Sequence, residues 1–295
     1  MTSEETPAAT VDGVDHHLVE VGTTRLHYVS AGSSGSPVLL VHGFPETWWA
    51  FHRLIPLLAT EHRVFAVDLR GFGESDVAAD DHDSRTAADD LHGLIAQLGV
   101  GPVHVVSQDI SGGAVFRLIA AHPSDVRSLT AVETGLAGFG LEGLADVTHG
   151  GSWHIGALAA PGVPELLFTG RERELIGGML RAMSVDPGAV TAADVDELAR
   201  TYARPGGWRG ASGLYRSMLA EGEELRALAA ARPVPVPVLA VGAGGGAFTA
   251  DTMTQVAAGT VATESLDGVG HYAALEAPTA LAVALRGFLE RVDAE

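Results

Sequence analysis

The chain has 295 residues, a formal net charge of −19, and neither cysteine nor lysine, so all its cationic side chains are arginines. The missing thiols exclude disulfides, thiolate catalysis and thiolate-ligated zinc, and the acidic balance argues against nucleic acid or an anionic membrane surface as partner. With 46% hydrophobic and 19% charged residues, the composition is that of a soluble protein able to bury a large core.

The start, MTSEETPAATVDG, is polar and acidic. It lacks the basic start and apolar centre of a signal peptide, and no apolar run reaches membrane-spanning length, so a cytoplasmic protein is expected. HLVEVG (17–22) and RLHYVSA (25–31) read as an opening hairpin turning at Gly22-Thr23-Thr24. PVLLVH (37–42) is a third strand. From there strands and helices alternate: WWAFHRLIPLLA (48–59) precedes RVFAVDL (63–69), DDLHGLIAQLG (89–99) precedes VHVVS (103–107), and GAVFRLIAAHP (113–123) precedes SLTAVE (128–133). Apolar runs alternating with amphipathic helices predict crossover units and a parallel sheet covered on both faces. The acidic run AADDHDSRTAADD (78–90) reads as solvated surface.

The alternation stops near residue 135. Some ninety residues follow with helical patterns, clearest in RERELIGGMLRAM (171–183) and TAADVDELARTYA (191–203). Thr191 and Asp194 form an acidic variant of the capping box before the second. The rhythm then returns with PVLAVG (237–242), a helix near 249–258, TVATESL (260–266) and a last helix over 273–292. The expected organisation is an α/β core over 1–134 and 231–295, with a helical cap over 135–230.

VHVVSQDISGG (103–113) carries the chemistry. A strand, a sharp turn and a helix form a nucleophile elbow, whose crowded backbone requires small residues two places either side of the apex. Ser107 and Ser111 flank Asp109 in that way. An apex at Ser111 would push the turn two residues past the strand, and Asp109 could instead merely cap the helix. A carboxylate is a poor acyl-transfer nucleophile but a good one at saturated carbon, where it forms an alkyl ester. Hydrolysis of that ester needs a base, an orienting acid and an oxyanion hole. His271 in DGVGHYAALEAP is the candidate base, completing the order nucleophile, acid, histidine. The hole would be the backbone N–H groups of Ile110 and of Phe44 in VHGFPE. Loss of one such donor typically costs about 2.7–4 kcal/mol of barrier.

HGFPETW (42–48), DLRGFGES (68–75), SQDISGG (107–113) and GVGHYAALEAP (268–278) together resemble the α/β-hydrolase superfamily, in particular its aspartate-nucleophile branch of epoxide hydrolases and haloalkane dehalogenases. The resemblance spans almost the whole chain. It implies a mostly parallel eight-stranded sheet with a helical cap after the sixth strand, and no metal or organic cofactor. Members often carry the orienting acid in the loop after the strand matching PVLAVG, but here that loop is GAGGGAF (242–248). The favoured acid is then Glu133 in AVETG; otherwise Asp251 reaches back or the triad is impaired.

The resemblance also bears on substrate. Dehalogenases of this branch tend to place a tryptophan after the nucleophile and an asparagine after His-Gly, where this chain has Ile110 and Phe44. Haloacetate-type relatives use arginines on the elbow helix, where the first here is Arg117. Epoxide opening needs neutral donors in the cap. Of the cap tyrosines, Tyr202 and Tyr215, the latter in LYRSM matches the family's Tyr-Arg motif, and His154 in SWHIG is similar to the histidine of the Cif-type epoxide hydrolases, whose ring-opening pair is His plus Tyr. The expected function is therefore epoxide hydrolysis on a small apolar substrate, by a monomer or homodimer. Dehalogenation by the same ester, a serine esterase using Ser111 or Ser107, and a non-catalytic ligand-binding fold are the alternatives.

Overall fold

Eight short segments rich in Val, Leu and Ala cannot bury both their faces alone, and in the computed structural model they form one sheet. The structure describes residues 9–78 and 82–295. Residues 1–8 of the acidic start and 79–81 of the acidic run lie outside it. The strands are β1 (Asp15–Val21), β2 (Thr24–Ala31), β3 (Pro37–Val41), β4 (Arg63–Val67), β5 (Val103–Gln108), β6 (Val126–Val132), β7 (Val238–Gly242) and β8 (Val261–Ser265). Their order is β1-β2-β4-β3-β5-β6-β7-β8. The β1–β2 and β2–β4 pairs are antiparallel, and every later pair is parallel. All eight predicted strands are present, and the hairpin pairs Val21 with Thr24 across the Gly22-Thr23 turn.

Strands β3, β5 and β7 are buried at every position, as expected where helices cover both faces. Among these helices, Ser84–Leu98 begins at the Asp83 cap and ends at Gly99, whose φ of 63° suits a residue without a side chain. Two predicted helices are each broken by a proline. The segment 48–59 is a tight turn over Trp48–Phe51 and a short helix Ile55–Leu58 that restarts with Pro56 in its first turn. The last one divides into Ala273–Glu276 and Pro278–Asp293, with Ala277 driven out of helical conformation by the following proline.

Every named element between β6 and β7 is helical. Thr191 and Asp194 form the reciprocal cap of helix Ala192–Tyr202. Asp194 also ties this helix to the sheet side, accepting from Trp49 Nε1 at 3.1 Å and Arg53 Nη2 at 2.6 Å. On the opposite flank Arg117 pairs with Glu221 at 2.9 Å. No helix among the described residues is long and apolar enough to cross a membrane.

Candidate active site

Parallel strands deliver their carboxyl ends to one edge, and the central strands β5 and β6 each end there in a strained acidic residue. Asp109 (φ 53°) and Glu133 (φ 49°) are the only described residues other than glycine with positive φ. A left-handed backbone costs a side-chain-bearing residue free energy and recurs where function requires it. Directly beneath Asp109, Ser111 Oγ lies 3.0 Å from Ser107 Oγ and 2.7 Å from the Gln108 carbonyl, to which it donates. Both serines are buried and outside the cavity lining. They brace the turn, and neither hydroxyl is presented to a substrate.

The structure brings Asp109, Glu133 and His271 together. His271 Nδ1 lies 3.2 Å from Glu133 Oε2, and Nε2 lies 3.6 Å from Asp109 Oδ1. Asp251 is exposed in the helix Phe248–Val256. The glycine-rich loop after β7 supplies backbone instead of an acid: the N–H groups of Ala243 and Gly245 donate to the two Glu133 oxygens at 2.6 and 2.7 Å. The N–H of His271 donates to the Met183 carbonyl at 2.9 Å, so the loop that carries His271 is seated against the helical segment.

The two Asp109 oxygens are not equivalent. Oδ2 accepts the Phe44 N–H at 3.0 Å, while Oδ1 faces His271. Burial raises the Asp109 pKa, but the His271 side chain and the amides of Phe44 and Ile110 outweigh it and hold it below the usual carboxylate value. For His271, burial pulls the pKa down and the carboxylates of Asp109 and Glu133 push it up further, leaving a raised value. The resting site therefore pairs an ionised Asp109 with an imidazolium.

The loop after β3 aims the Phe44 amide. The Leu69 N–H donates to His42 Nε2 at 3.1 Å, so the ring's proton sits on Nδ1, which donates to the Gly43 carbonyl at 2.7 Å. Glu46, quoted in HGFPETW but given no role from sequence, is fully buried behind the turn. It accepts from Gln108 Nε2 at 2.7 Å and from the Gly43 N–H at 3.1 Å. Burial and the nearby Asp109 charge push its pKa up to about 8. Its signal was an acid inside an otherwise apolar loop, legible only once burial was known.

At residue 43 a Cβ would lie 2.5 Å from Asp109 Cβ. Gly43→Ala must displace the elbow, and a shift of about 1 Å in a reacting group can cost roughly 100-fold in rate. A fall in kcat/KM of that order is expected, with a destabilisation of about 1–3 kcal/mol from overpacking. Steady-state kinetics and denaturant titration measure the two.

Above Asp109 lies a cavity of about 470 Å³ lined by Ile110, Leu141, Ile155, Met183, Met218 and Phe248 among others, with His154 and Tyr215 on its wall. The rings of His154 and Tyr215 meet edge to face, their centroids 5.8 Å apart, and neither makes a hydrogen bond to another described residue. Burial lowers the His154 pKa, against a smaller opposing effect of Asp109, and raises that of Tyr215 well above 10, with Asp109 adding to it. Both are thus neutral hydrogen-bond donors. Tyr202 is buried against Phe44, with ring centroids 5.8 Å apart, and does not line the cavity.

Comparison with known proteins agrees with this architecture. The family model described as alpha/beta hydrolase fold matches residues 36–157. A protein named soluble epoxide hydrolase from Corynebacterium sp. (strain C12) is 40% identical over 103 residues, covering 35% of this chain and 36% of that protein. One named fluoroacetate dehalogenase from Burkholderia sp is 38% identical over 127 residues, 41% of either chain. The matches thus span well under half the length of these two relatives. The crystal structure of wild-type Cfl2 from Burkholderia cenocepacia superposes with a TM-score of 0.86 at 33% identity, covering 94% of this chain and 96% of that one. With its eight-stranded sheet, elbow and near-complete overlap with that structure, the chain belongs to the α/β-hydrolase fold family.

Proposed function

We propose that the protein hydrolyses a small apolar epoxide to a vicinal diol through an alkyl ester on Asp109. The observation that carries this reading is the pair His154 and Tyr215, two neutral donors with unengaged polar ends on the wall of the cavity above an ionised carboxylate. An epoxide oxygen stays attached as the ring opens, and neutral N–H and O–H groups suit it. No arginine lines the cavity among the described residues, so the cation nearest a substrate carboxylate such as that of a haloacid would be His271, already paired with Asp109 and Glu133. The helical segment 135–230 serves as the cap that supplies the donor pair.

Asp109 Oδ1 attacks a ring carbon, and the C–O bond breaks toward the oxygen held by Tyr215 and His154. That oxygen takes its proton from Tyr215, which is restored from solvent. Oδ2 becomes the ester carbonyl, already in the hole formed by the amides of Phe44 and Ile110. Once Asp109 is esterified, His271 loses its proton to solvent; the neutral ring, oriented by Glu133, then removes a proton from water as the water adds to that carbonyl. The tetrahedral oxyanion collapses, the C–Oδ1 bond breaks, and the departing oxygen of the diol recovers the proton from His271. The Asp109 carboxylate is then regenerated with one oxygen from water.

This assigns the origin of the oxygen. In a single turnover in ¹⁸O-water with enzyme in excess, the label is expected in the Asp109 peptide and not in the diol. Label in the diol would mean direct attack by water and would overturn the ester route. Halide release from haloalkanes or haloacids without diol formation from epoxides would assign dehalogenation instead. Tyr215→Phe and His154→Phe are each expected to slow ester formation by about 100-fold or more, the lower range for a general acid, while ester breakdown changes little. Rapid-quench mass spectrometry separates the two steps.

A further inference from the structure

Three metal-ligating side chains meet outside the catalytic cavity. His92 belongs to the helix Ser84–Leu98, His122 caps the carboxyl end of the elbow helix Gly112–Ala121, and Asp125 ends the turn Pro123–Asp125. Their donor atoms all lie within 4.8 Å of one another. We propose that His92, His122 and Asp125 bind a divalent transition-metal ion of the zinc type, stapling these three elements together.

The local structure supports the site in four ways. The Asp125 N–H donates to the His122 carbonyl at 3.0 Å, and Pro123 stiffens the turn between them, so two ligands are held on one rigid frame. His92 Nδ1 already lies 2.6 Å from Asp125 Oδ2, and a metal can replace the proton they share. The His92 and His122 rings stack with centroids 3.6 Å apart and planes 6° from parallel. The stacking sets the nitrogens of the two rings side by side, within reach of one ion. The carboxyl end of a helix also attracts cations, as Arg232 shows by donating to the Ala120 carbonyl at 3.2 Å.

Two imidazole nitrogens and one carboxylate oxygen suit zinc, nickel or copper over magnesium or calcium. Zinc takes nitrogen ligands at about 2.0–2.1 Å in a tetrahedral shell, here completed by water. The half-buried rings must turn about their Cβ–Cγ bonds to direct both lone pairs at one point. The elbow helix has ten residues, placing its carboxyl end about 15 Å along the axis from its start beside Asp109. The role of the ion is thus to fix the helix that follows the Asp109 turn, not to enter the chemistry.

The test is calorimetric titration of the full chain with zinc chloride at neutral pH, beside His92→Gln and His122→Gln, each first checked for folding by circular dichroism. One tight site per chain is expected, accompanied by a rise in the unfolding midpoint. Each variant should weaken it by at least the roughly 10–100-fold that loss of a mere outer-shell partner costs. Magnesium should produce neither effect. No zinc binding by the unsubstituted chain, or a tight site that both variants retain, would overturn the proposal, since the second result puts the ion on other histidines. Should either glutamine variant fail to fold, the d–d bands of cobalt bound to Asp125→Asn, compared with the parent, decide the matter. An unchanged spectrum rejects Asp125 as a ligand and with it the site.

Discussion

Asp109→Ala is expected to lower epoxide turnover by about 10⁴-fold or more, the scale on which removal of a covalent nucleophile is felt. The geometry makes the expectation specific. Asp109 Oδ1 is the oxygen turned toward the cavity and His271, whereas Ser107 and Ser111 are buried and bonded to each other at 3.0 Å. Neither of these serine hydroxyls can take over the displacement. A serine esterase would behave oppositely, keeping its activity on activated esters after Asp109→Ala. Parallel assays with an aryl epoxide and a nitrophenyl ester, on parent and variant, distinguish the two.

His271→Gln is expected to halt the cycle at the ester. Alkylation uses Asp109 and the donor pair, all intact in the variant, but the ester then lacks its base. Intact-protein mass spectrometry should find the mass of the whole epoxide added and mapped to the Asp109 peptide. An adduct lighter by hydrogen halide, formed from a haloalkane, would mark a dehalogenase. Hydrolysis should slow by about 10²–10⁴-fold, the range for general base catalysis.

The parent enzyme also has a defined pH response. In the free enzyme the carboxylates of Asp109 and Glu133 raise the His271 pKa against the effect of burial. Esterification turns Asp109 into a neutral group and removes one of the two, so the His271 pKa falls. Alkylation therefore itself releases the base. Ester breakdown should speed up with rising pH and level off once the imidazole is neutral, at a midpoint below the His271 titration seen by NMR in the free enzyme. Coincident midpoints would mean that the charge on Asp109 does not govern the base.

The centre of the sheet was legible because strands buried on both faces, such as β3, β5 and β7, are written as continuous apolar runs, while β1 and β8 at the edges are largely exposed and were marked by β-branched residues and neighbouring turns. Helix ends were less so. Pro56 and Pro278 each interrupt a segment whose apolar spacing continues past the break, and periodicity cannot register a backbone that has changed direction. The helices Trp153–Ala159 and Val163–Phe168 sit in a stretch rich in Gly and Ala, with too little contrast between faces to mark them. At the site, Asp109 and His271 stood out because chemistry and position coincide at strand ends. Glu133 remained one of two choices, since its selection depends on the amides of Ala243 and Gly245, and backbone donors leave no signature in side-chain identity. His42 and Glu46 act from behind the elbow, where burial rather than residue type defines the role.

His271 and Glu133 are 138 positions apart, with the whole helical segment between them. At ribosomal rates of about 5–20 residues per second, the base is made roughly 7–28 s after the acid it pairs with. On the proposed route, nucleophile and acid are thus made before the group that turns a stoichiometric alkylation into a catalytic cycle. A chain cut short before residue 271 but able to fold around Asp109 would not simply be inactive. On the proposed ester route it would react with one electrophile and stay modified.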